Sequence, residues 1–153
     1  MSDPTEQELA AWAALTRSYE RGRRHLDAML KTAGLPTLDI FEALGVLDGD
    51  AIGGGLTAKA LEERLTMPQY AVSRMLDRME RQDLIERMPN PGDKRSKLIR
   101  ITGAGRQTRR QMERAHGDAI SGFLRPRAKP GQLERMADLL NLLDQAQPDR
   151  QSG

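Results

Sequence analysis

The chain has 153 residues with 24 Lys and Arg, 22 Asp and Glu and no Cys, which gives a formal net charge of +2. This length fits one domain, or one compact domain with appended helices. The lack of cysteine excludes disulfides, zinc–thiolate sites and thiol redox switches. No apolar run approaches the roughly 20 residues of a membrane span, and the acidic N-terminus does not resemble a signal peptide. The composition therefore predicts a soluble, cytoplasmic protein without a membrane partner.

The apolar core that one copy of the chain can build is small. Leu, Ile, Val and Phe number 20, 6, 2 and 2, about a fifth of the chain and a low fraction for a globular protein. Burial of helix faces against a second copy would enlarge this core, so a homodimer is expected.

Charge is distributed unevenly along the chain. Residues 64–114 carry 13 basic and 6 acidic side chains, whereas residues 1–63 carry 6 basic and 11 acidic ones. A basic region in a near-neutral chain favours a polyanionic partner such as nucleic acid. The alternative is an ordinary solvated basic surface.

The N-terminal third predicts two helices. An amphipathic stripe indicates one long helix over residues 5–32, which Gly34 and Pro36 end. Thr37 is expected to cap a second helix, whose apolar face carries Ile40, Phe41, Leu44 and Leu47. The glycine-rich segment 48–55 is expected to be a flexible connector, because it lacks a phosphate-binding pattern.

Residues 56–82 have the spacing of a helix-turn-helix. Leu56 and Thr57 are expected to open a short helix that points Ala60, Leu61 and Leu65 inward. Thr66 and Gln69 then form a predicted capping box for a second helix, with Pro68 in its first turn. A short helix, a tight turn and a second helix are typical of this DNA-binding motif.

The second helix has two distinct faces. Its core side carries Val72, Met75, Leu76 and Met79. Its opposite side centres on Tyr70, Arg74, Asp77 and Arg81, with Ser73 and Arg78 on the flanks. Such a side suits the major groove. The alternative is an ordinary surface helix with ion pairs among Arg74, Asp77 and Arg81.

The next segment predicts a β-hairpin. Residues 84–88 and 97–102 read as strands, with Ile99 and Ile101 on one face. Residues 90–93 read as a type II turn with Pro at its second position and Gly at its third. Basic residues gather at the tip, and a basic hairpin after a helix-turn-helix indicates a winged helix. Its Arg95 has the reach to enter a minor groove.

The C-terminal part predicts two more helices. One carries a stripe of Met112, Ala115, Ala119, Ile120 and Phe123, and the prolines 126 and 130 break it. The next carries Leu133, Met136, Leu140 and Leu143, widened by Leu139 and Leu142. Residues 147–153 are expected to form a flexible tail.

Three motifs in residues 56–105 are specific: Arg-Met-Leu-Asp-Arg at 74–78, Asp-Lys-Arg at 93–95 and Thr-Gly-Ala-Gly at 102–105. In this order and spacing they resemble the MarR (multiple-antibiotic-resistance regulator) family, and the flanking helices agree in number and order. One position departs from the family, which commonly has Gly where this chain has Asp83. A left-handed Asp costs about 1 kcal/mol relative to Gly, so either the helix ends differently or this cost is absorbed.

The resemblance implies a mainly α fold with a small β-hairpin wing: a winged helix-turn-helix plus a helical dimerisation domain. Residues 5–32 and 105–146 would form the dimerisation region. Residues 37–104 would form the DNA-binding domain, with the recognition helix at about 67–82 and the wing at about 84–102. The implied function is that of a homodimeric transcription regulator, usually a repressor on a pseudo-palindromic operator in double-stranded DNA.

The expected DNA contacts lie on the recognition helix and on the wing. The recognition helix would contribute Thr66, Pro68, Gln69, Tyr70, Ser73, Arg74 and Arg78. The wing would contribute Asp93, Lys94, Arg95 and Lys97, with Asp93 orienting Arg95.

Many members of this family release DNA when a small aromatic or anionic molecule binds between the dimerisation region and the winged helix. Candidates for such an effector pocket are Trp12, Tyr19, His25 and Phe41, with His116 on the fifth helix. The alternative is that Trp12, Tyr19 and Phe41 pack in the core. Both histidines lack a second ligand at helical spacing, so neither a metal site nor a cofactor is expected.

Other functions are weighed against that of a sequence-specific regulator. The chain has no motif for nucleophilic, metal-dependent or phosphate-binding catalysis, so an enzyme is not expected. A winged helix used for protein–protein contact, or for non-specific DNA binding without an effector, is the alternative to a sequence-specific regulator.

Overall fold

The computed structural model describes residues 3–50, 54–65 and 67–145. In these residues the chain is mainly helical, as the sequence predicts. Its elements are α1 (Glu6–Thr32), α2 (Leu38–Asp48), α3 (Ala58–Leu65), α4 (Gln69–Arg81), β1 (Ile85–Pro89), β2 (Lys97–Ile101), α5 (Gly103–Leu124) and α6 (Pro130–Asp144). The predicted contact residue Thr66, residues 51–53 of the predicted connector and the predicted tail at 147–153 lie outside the described residues.

Local capping sets both ends of α1. The Thr5 hydroxyl accepts a hydrogen bond from the Glu8 N–H at 3.2 Å, and the Glu8 carboxylate accepts one from the Thr5 N–H at 2.7 Å. These bonds hold the pKa of Glu8 below its ordinary value. At the other end Gly34 has a φ of +70°, and the Leu35 N–H reaches the Leu30 carbonyl. The left-handed glycine ends the helix where the sequence predicts.

The start of α2 differs from the prediction. Thr37 occupies the N-cap position, but its side chain makes no capping bond. The Asp27 carboxylate on α1 instead accepts a hydrogen bond from the Leu38 N–H at 2.8 Å. A distant carboxylate therefore replaces the local cap, and it ties α1 to α2.

The core lies where α2, α3, α4 and the hairpin meet, and α1 and α5 close it. The described core is entirely apolar, and its largest fully buried side chains are Leu30, Ile40, Leu44, Leu61, Met75, Leu76, Met79, Ile99, Met112 and Val72. Most positions that the helical and strand periodicities assign to the core of the winged helix are thus buried, whereas Phe41, Ala60 and Leu65 are half-buried at its edge.

Leu56 does not open α3, contrary to the prediction. It forms a one-residue β-bridge with Ile99, and α3 begins at Ala58. Gly55 makes this pairing feasible, because it has a φ of +89° and a Cβ there would lie 2.9 Å from the Ile99 carbonyl oxygen. Only glycine combines this backbone with such a close approach.

Helix α6 contributes no buried residue to the single chain. It faces α1 and the end of α5 across an open apolar groove of about 830 Å³, whose lining includes Leu15, Phe123, Leu133, Met136 and Leu140. Trp12 and Tyr19 on α1 are 70% and 61% exposed. The interpretation of these two aromatics as core residues is therefore wrong within one chain. No described helix has the length and hydropathy to cross a membrane.

Candidate nucleic-acid interface

The predicted recognition helix corresponds to α4, and its start differs from the predicted capping box. Pro68 occupies the N-cap position without a side-chain capping bond, and Gln69 is the first helical residue. Gln69 therefore cannot be the third residue of a box capped at position 66. The apolar side of α4 matches the prediction, since Val72, Met75, Leu76 and Met79 are all buried.

The opposite side of α4 is exposed to solvent. It displays the predicted contact residues Pro68, Gln69, Tyr70, Ser73, Arg74 and Arg78. Neither Arg74 nor Arg81 forms an ion pair with a described residue, because Asp77 pairs with Arg87 on β1 at 2.7 Å. The ion pairs among Arg74, Asp77 and Arg81 that the alternative required are thus absent from the described residues, and Arg74 and Arg81 stay available to a ligand.

Arg78 stands apart from the other predicted contacts. It lines a groove of about 370 Å³ between α1, α2 and the end of α4, together with Lys31 and Gln82. Tyr70, Ser73 and Arg74 do not line this groove. The structure therefore brings Arg78 towards the long helix α1.

Asp83 follows the end of α4, at the position where the family commonly has Gly. This residue has a φ of 56°, and it is the only described non-glycine residue with a positive φ. The Asp83 N–H reaches the Glu80 carbonyl and the Leu84 N–H reaches the Met79 carbonyl, both at 3.0 Å. These are the two bonds of a Schellman motif, which normally has Gly at this position. The helix therefore ends in the usual way rather than at a different place, and Asp83 adopts the left-handed conformation.

The Thr-x-x-Gly motif joins the end of α4 to the start of α5. The Thr102 hydroxyl donates to the Asp83 carbonyl at 2.5 Å and accepts from the Gly105 N–H at 2.9 Å. A Cβ at Gly105 would lie only 2.1 Å from the Leu84 carbonyl oxygen. The threonine thus caps α5 and holds the recognition helix, and the glycine permits the close contact.

The wing is a two-stranded antiparallel hairpin, in register from Ile85 opposite Ile101 to Pro89 opposite Lys97. Its first turn is closed by the Asp93 N–H and the Asn90 carbonyl at 3.3 Å. Gly92 lacks the positive φ that a type II turn requires. The predicted type II turn is therefore wrong; the Asn90 side chain instead accepts a hydrogen bond from the Gly92 N–H at 3.0 Å.

A second turn sets the tip of the wing. The Asp93 carboxylate accepts a hydrogen bond from the Arg95 N–H at 2.9 Å, and the Asp93 carbonyl accepts one from the Ser96 N–H at 3.2 Å. Asp93 thus orients the backbone of Arg95. The side chains of Asp93, Lys94, Arg95 and Lys97 are exposed.

Sequence reasoning missed Lys59. With Arg95 and Lys97 it lines a groove of about 400 Å³ between the start of α3 and the wing. A signal was available, since Lys59 lies in the first turn of the first helix of the helix-turn-helix, the helix that crosses the DNA backbone in this motif.

The candidate effector residues do not all lie in one pocket. Tyr19, Phe41 and His116 line one pocket of about 390 Å³ with Arg23. His25 packs against Phe123 instead, with ring centroids 5.6 Å apart. Neither His25 nor Trp12 lines this pocket.

Arg23 is the charged group of that pocket. It is ion-paired with Asp39 and Glu42 on α2, and it donates a hydrogen bond to the Tyr19 hydroxyl at 3.1 Å. Partial burial lowers the pKa of Arg23, but the Tyr19 hydrogen bond and the Glu42 charge outweigh this effect, so the pKa lies above its ordinary value. Among the described residues no group of three or more His, Asp or Glu side chains forms a candidate metal site.

Comparison with known proteins identifies the winged-helix segment. Residues 37–96 match a MarR family model. The multiple antibiotic resistance protein MarR of Salmonella typhimurium is 42% identical to this chain over 52 residues, which cover 34% of this chain and 36% of that protein. The match thus spans about a third of the length of this curated relative.

Solved structures extend the likeness to most of the chain. A MarR family transcriptional regulator from Streptomyces coelicolor in complex with DNA has a TM-score of 0.79 at 18% identity, over 99% of this chain and 94% of that chain. Another MarR family regulator from the same organism has a TM-score of 0.76 at 26% identity, over 92% and 94%. The end of α4, the Thr-x-x-Gly motif and the wing thus lie in a fold that this chain shares with these regulators, and residues 37–96 carry the similarity to the MarR family.

Proposed function

We propose that the protein is a sequence-specific, DNA-binding transcriptional regulator, and that it acts as a homodimeric repressor of a pseudo-palindromic operator. The observation that carries this proposal is the set of exposed cations on the outer side of α4 and on the wing. Arg74, Arg95 and Lys97 are exposed, and neither Arg74 nor Lys97 forms an ion pair with a described carboxylate. The similar regulator from Streptomyces coelicolor was solved in complex with DNA.

The dimer follows from the apolar groove between α1, α5 and α6. Leu15, Met136 and Leu140 line this groove, and α6 also exposes Leu139, Leu142 and Leu143. The apolar stripe of α6 therefore lacks the cover that such a stripe normally has in a folded protein. A second copy of the chain offers the same helices, so a two-fold interface would cover both grooves. Residues 5–32 and 105–146 are thus the proposed dimerisation region, and residues 37–104 are the proposed DNA-binding domain.

Release by a small ligand is the second part of the proposal. The pocket beside Arg23 offers a cation, the phenol of Tyr19 and the ring of Phe41, which together suit a small aromatic carboxylate. Such a ligand would compete with Asp39 and Glu42 for Arg23, and these ion pairs join α1 to α2. Ligand binding would then alter how the winged helix sits on the long helices.

Two charge-matched variants test the DNA-binding surface. In the first, Arg74, Arg95 and Lys97 become Gln; in the second, Arg17, Arg24 and Arg110 become Gln on the solvent sides of α1 and α5. Both lose three positive charges, but only the first loses them from the proposed interface. Each is titrated with a mixed-sequence DNA duplex at increasing salt.

The interface variant should lose nearly all binding and much of the salt dependence, because fewer counterions are released. The second variant should retain the salt slope of the parent. Equal losses in both variants would contradict the proposed surface. No binding by the parent at low salt would favour a winged helix used for protein contact.

A further inference from the structure

Arg87 is a cation at a core-facing position of the wing. It lies opposite Ile99 in the hairpin, two positions along from the pair of Ile85 and Ile101. Those three isoleucines are buried. Since alternate residues of a strand share a face, Arg87 starts on the apolar side of the hairpin, where an aliphatic residue would be expected.

The Arg87 guanidinium leaves this apolar face and reaches two carboxylates on α4. Its Nη2 lies 2.7 Å from the Asp77 carboxylate and its Nη1 lies 2.8 Å from the Glu80 carboxylate. The Arg87 side chain is 26% exposed, whereas those of Asp77 and Glu80 are 50% and 42% exposed. One partly buried cation therefore holds two more exposed acids from a neighbouring element.

Asp77 lies on the side of α4 that would face DNA. It is one helical turn from Ser73 and Arg74 and two turns from Tyr70. An unpaired carboxylate at this place would repel the phosphates that flank a major groove. Arg87 offsets this charge from β1, and its own side chain is only 26% exposed.

We propose that Arg87 is a positioning residue for DNA binding: it masks the charges of Asp77 and Glu80 on the recognition helix and holds the wing against that helix. This inference rests on the proposed function. It assigns to Arg87 an action through the two acids, and no contact of its own with DNA.

The test compares three variants with the parent protein. Arg87→Gln removes the cation, and a triple variant adds Asp77→Asn and Glu80→Gln, so that neither a charge nor its partner remains. Arg110→Gln removes one exposed cation from α5 as the control. The affinity for a mixed-sequence DNA duplex is measured at fixed salt, and amide hydrogen exchange of β1 and β2 is measured without DNA.

Arg87→Gln should weaken DNA binding by about tenfold, on the scale of one charge-assisted contact, and should speed hydrogen exchange in the wing. The triple variant should regain most of the lost affinity, and Arg110→Gln should bind nearly as the parent does.

Failure of the triple variant to regain affinity would overturn the masking role and would indicate that Arg87 contacts DNA directly. Unchanged wing exchange in Arg87→Gln would overturn the positioning role. A parent protein that binds no duplex would instead overturn the proposed function itself, so the two failures are distinguishable.

Discussion

At the scale of single residues, the junction of α4, the wing and α5 depends on the hydrogen bonds of Thr102 and on a glycine, Gly105, that has no room for a side chain. Thr102 bonds to the Asp83 carbonyl and to the Gly105 N–H, while the Leu84 carbonyl lies against Gly105. This junction fixes the end of the recognition helix relative to α5, and α5 belongs to the proposed dimerisation region.

Gly105→Ala should therefore destabilise the fold by roughly 1–3 kcal/mol, the usual range for an overpacked site. Denaturant unfolding measures this change. Gly103→Ala is the matched control, because a Cβ at Gly103 meets nothing within 4 Å. The control should be neutral or slightly stabilising, since Ala favours a helix over Gly. A Gly105→Ala protein as stable as the control would contradict the close contact.

Arg95→Ala should weaken binding most for operators with A·T-rich flanks, because narrow minor grooves attract an inserted arginine. Affinities for duplexes that differ only in their flanks measure this effect. Lys94→Ala removes a neighbouring charge and should weaken binding to all flanks alike. If the loss for Arg95→Ala is independent of the flank, Arg95 does not enter the minor groove.

The residue scale also shows where the sequence was informative. The fully buried residues of α4 follow from helical spacing alone, and the exposed basic tip of the wing follows from composition. The ion pairs of Arg87 could not be predicted, because they join residues whose geometry depends on how the hairpin folds back onto α4. The prediction that Thr37 caps α2 is wrong for the same reason. The residue that replaces it, Asp27, lies 11 residues away from Leu38, so no local sequence pattern contains both.

At the scale of elements, helix boundaries agree with the sequence to within a few residues wherever Gly, Pro or Thr marks them. The errors occur where an element is decided by its neighbour. Leu56 joins the hairpin because Ile99 offers free backbone groups to it. Trp12 and Tyr19 lie on the core stripe of α1 and yet are exposed, so periodicity alone does not establish burial.

Helix α6 is the element that most requires a partner. Leu140→Asp should shift the proposed dimer towards monomer, because it buries an unpaired charge in the apolar groove. Sedimentation velocity measures the dimer fraction. Asn141→Asp places the same charge on the opposite side of α6 and should leave the dimer intact. A Leu140→Asp protein that stays fully dimeric would remove α6 from the interface.

At the scale of the whole molecule, ion pairs join the winged helix to the long helices at both ends of α2. Arg23 on α1 holds Asp39 and Glu42. On α5, Arg106 and Arg109 hold Asp48 at 3.0 and 2.7 Å. These contacts set the orientation of α4 relative to α1 and α5, and thus the separation of two recognition helices in the proposed dimer.

In the proposed dimer, two copies of α4 and the wing read one duplex together. The purified protein can be used to select bound duplexes from a random library. An inverted repeat should be enriched, with half-sites about one helical turn apart, roughly 10–11 bp between centres. Enrichment of a single half-site, or of no sequence at all, would show that the two copies do not read the duplex together.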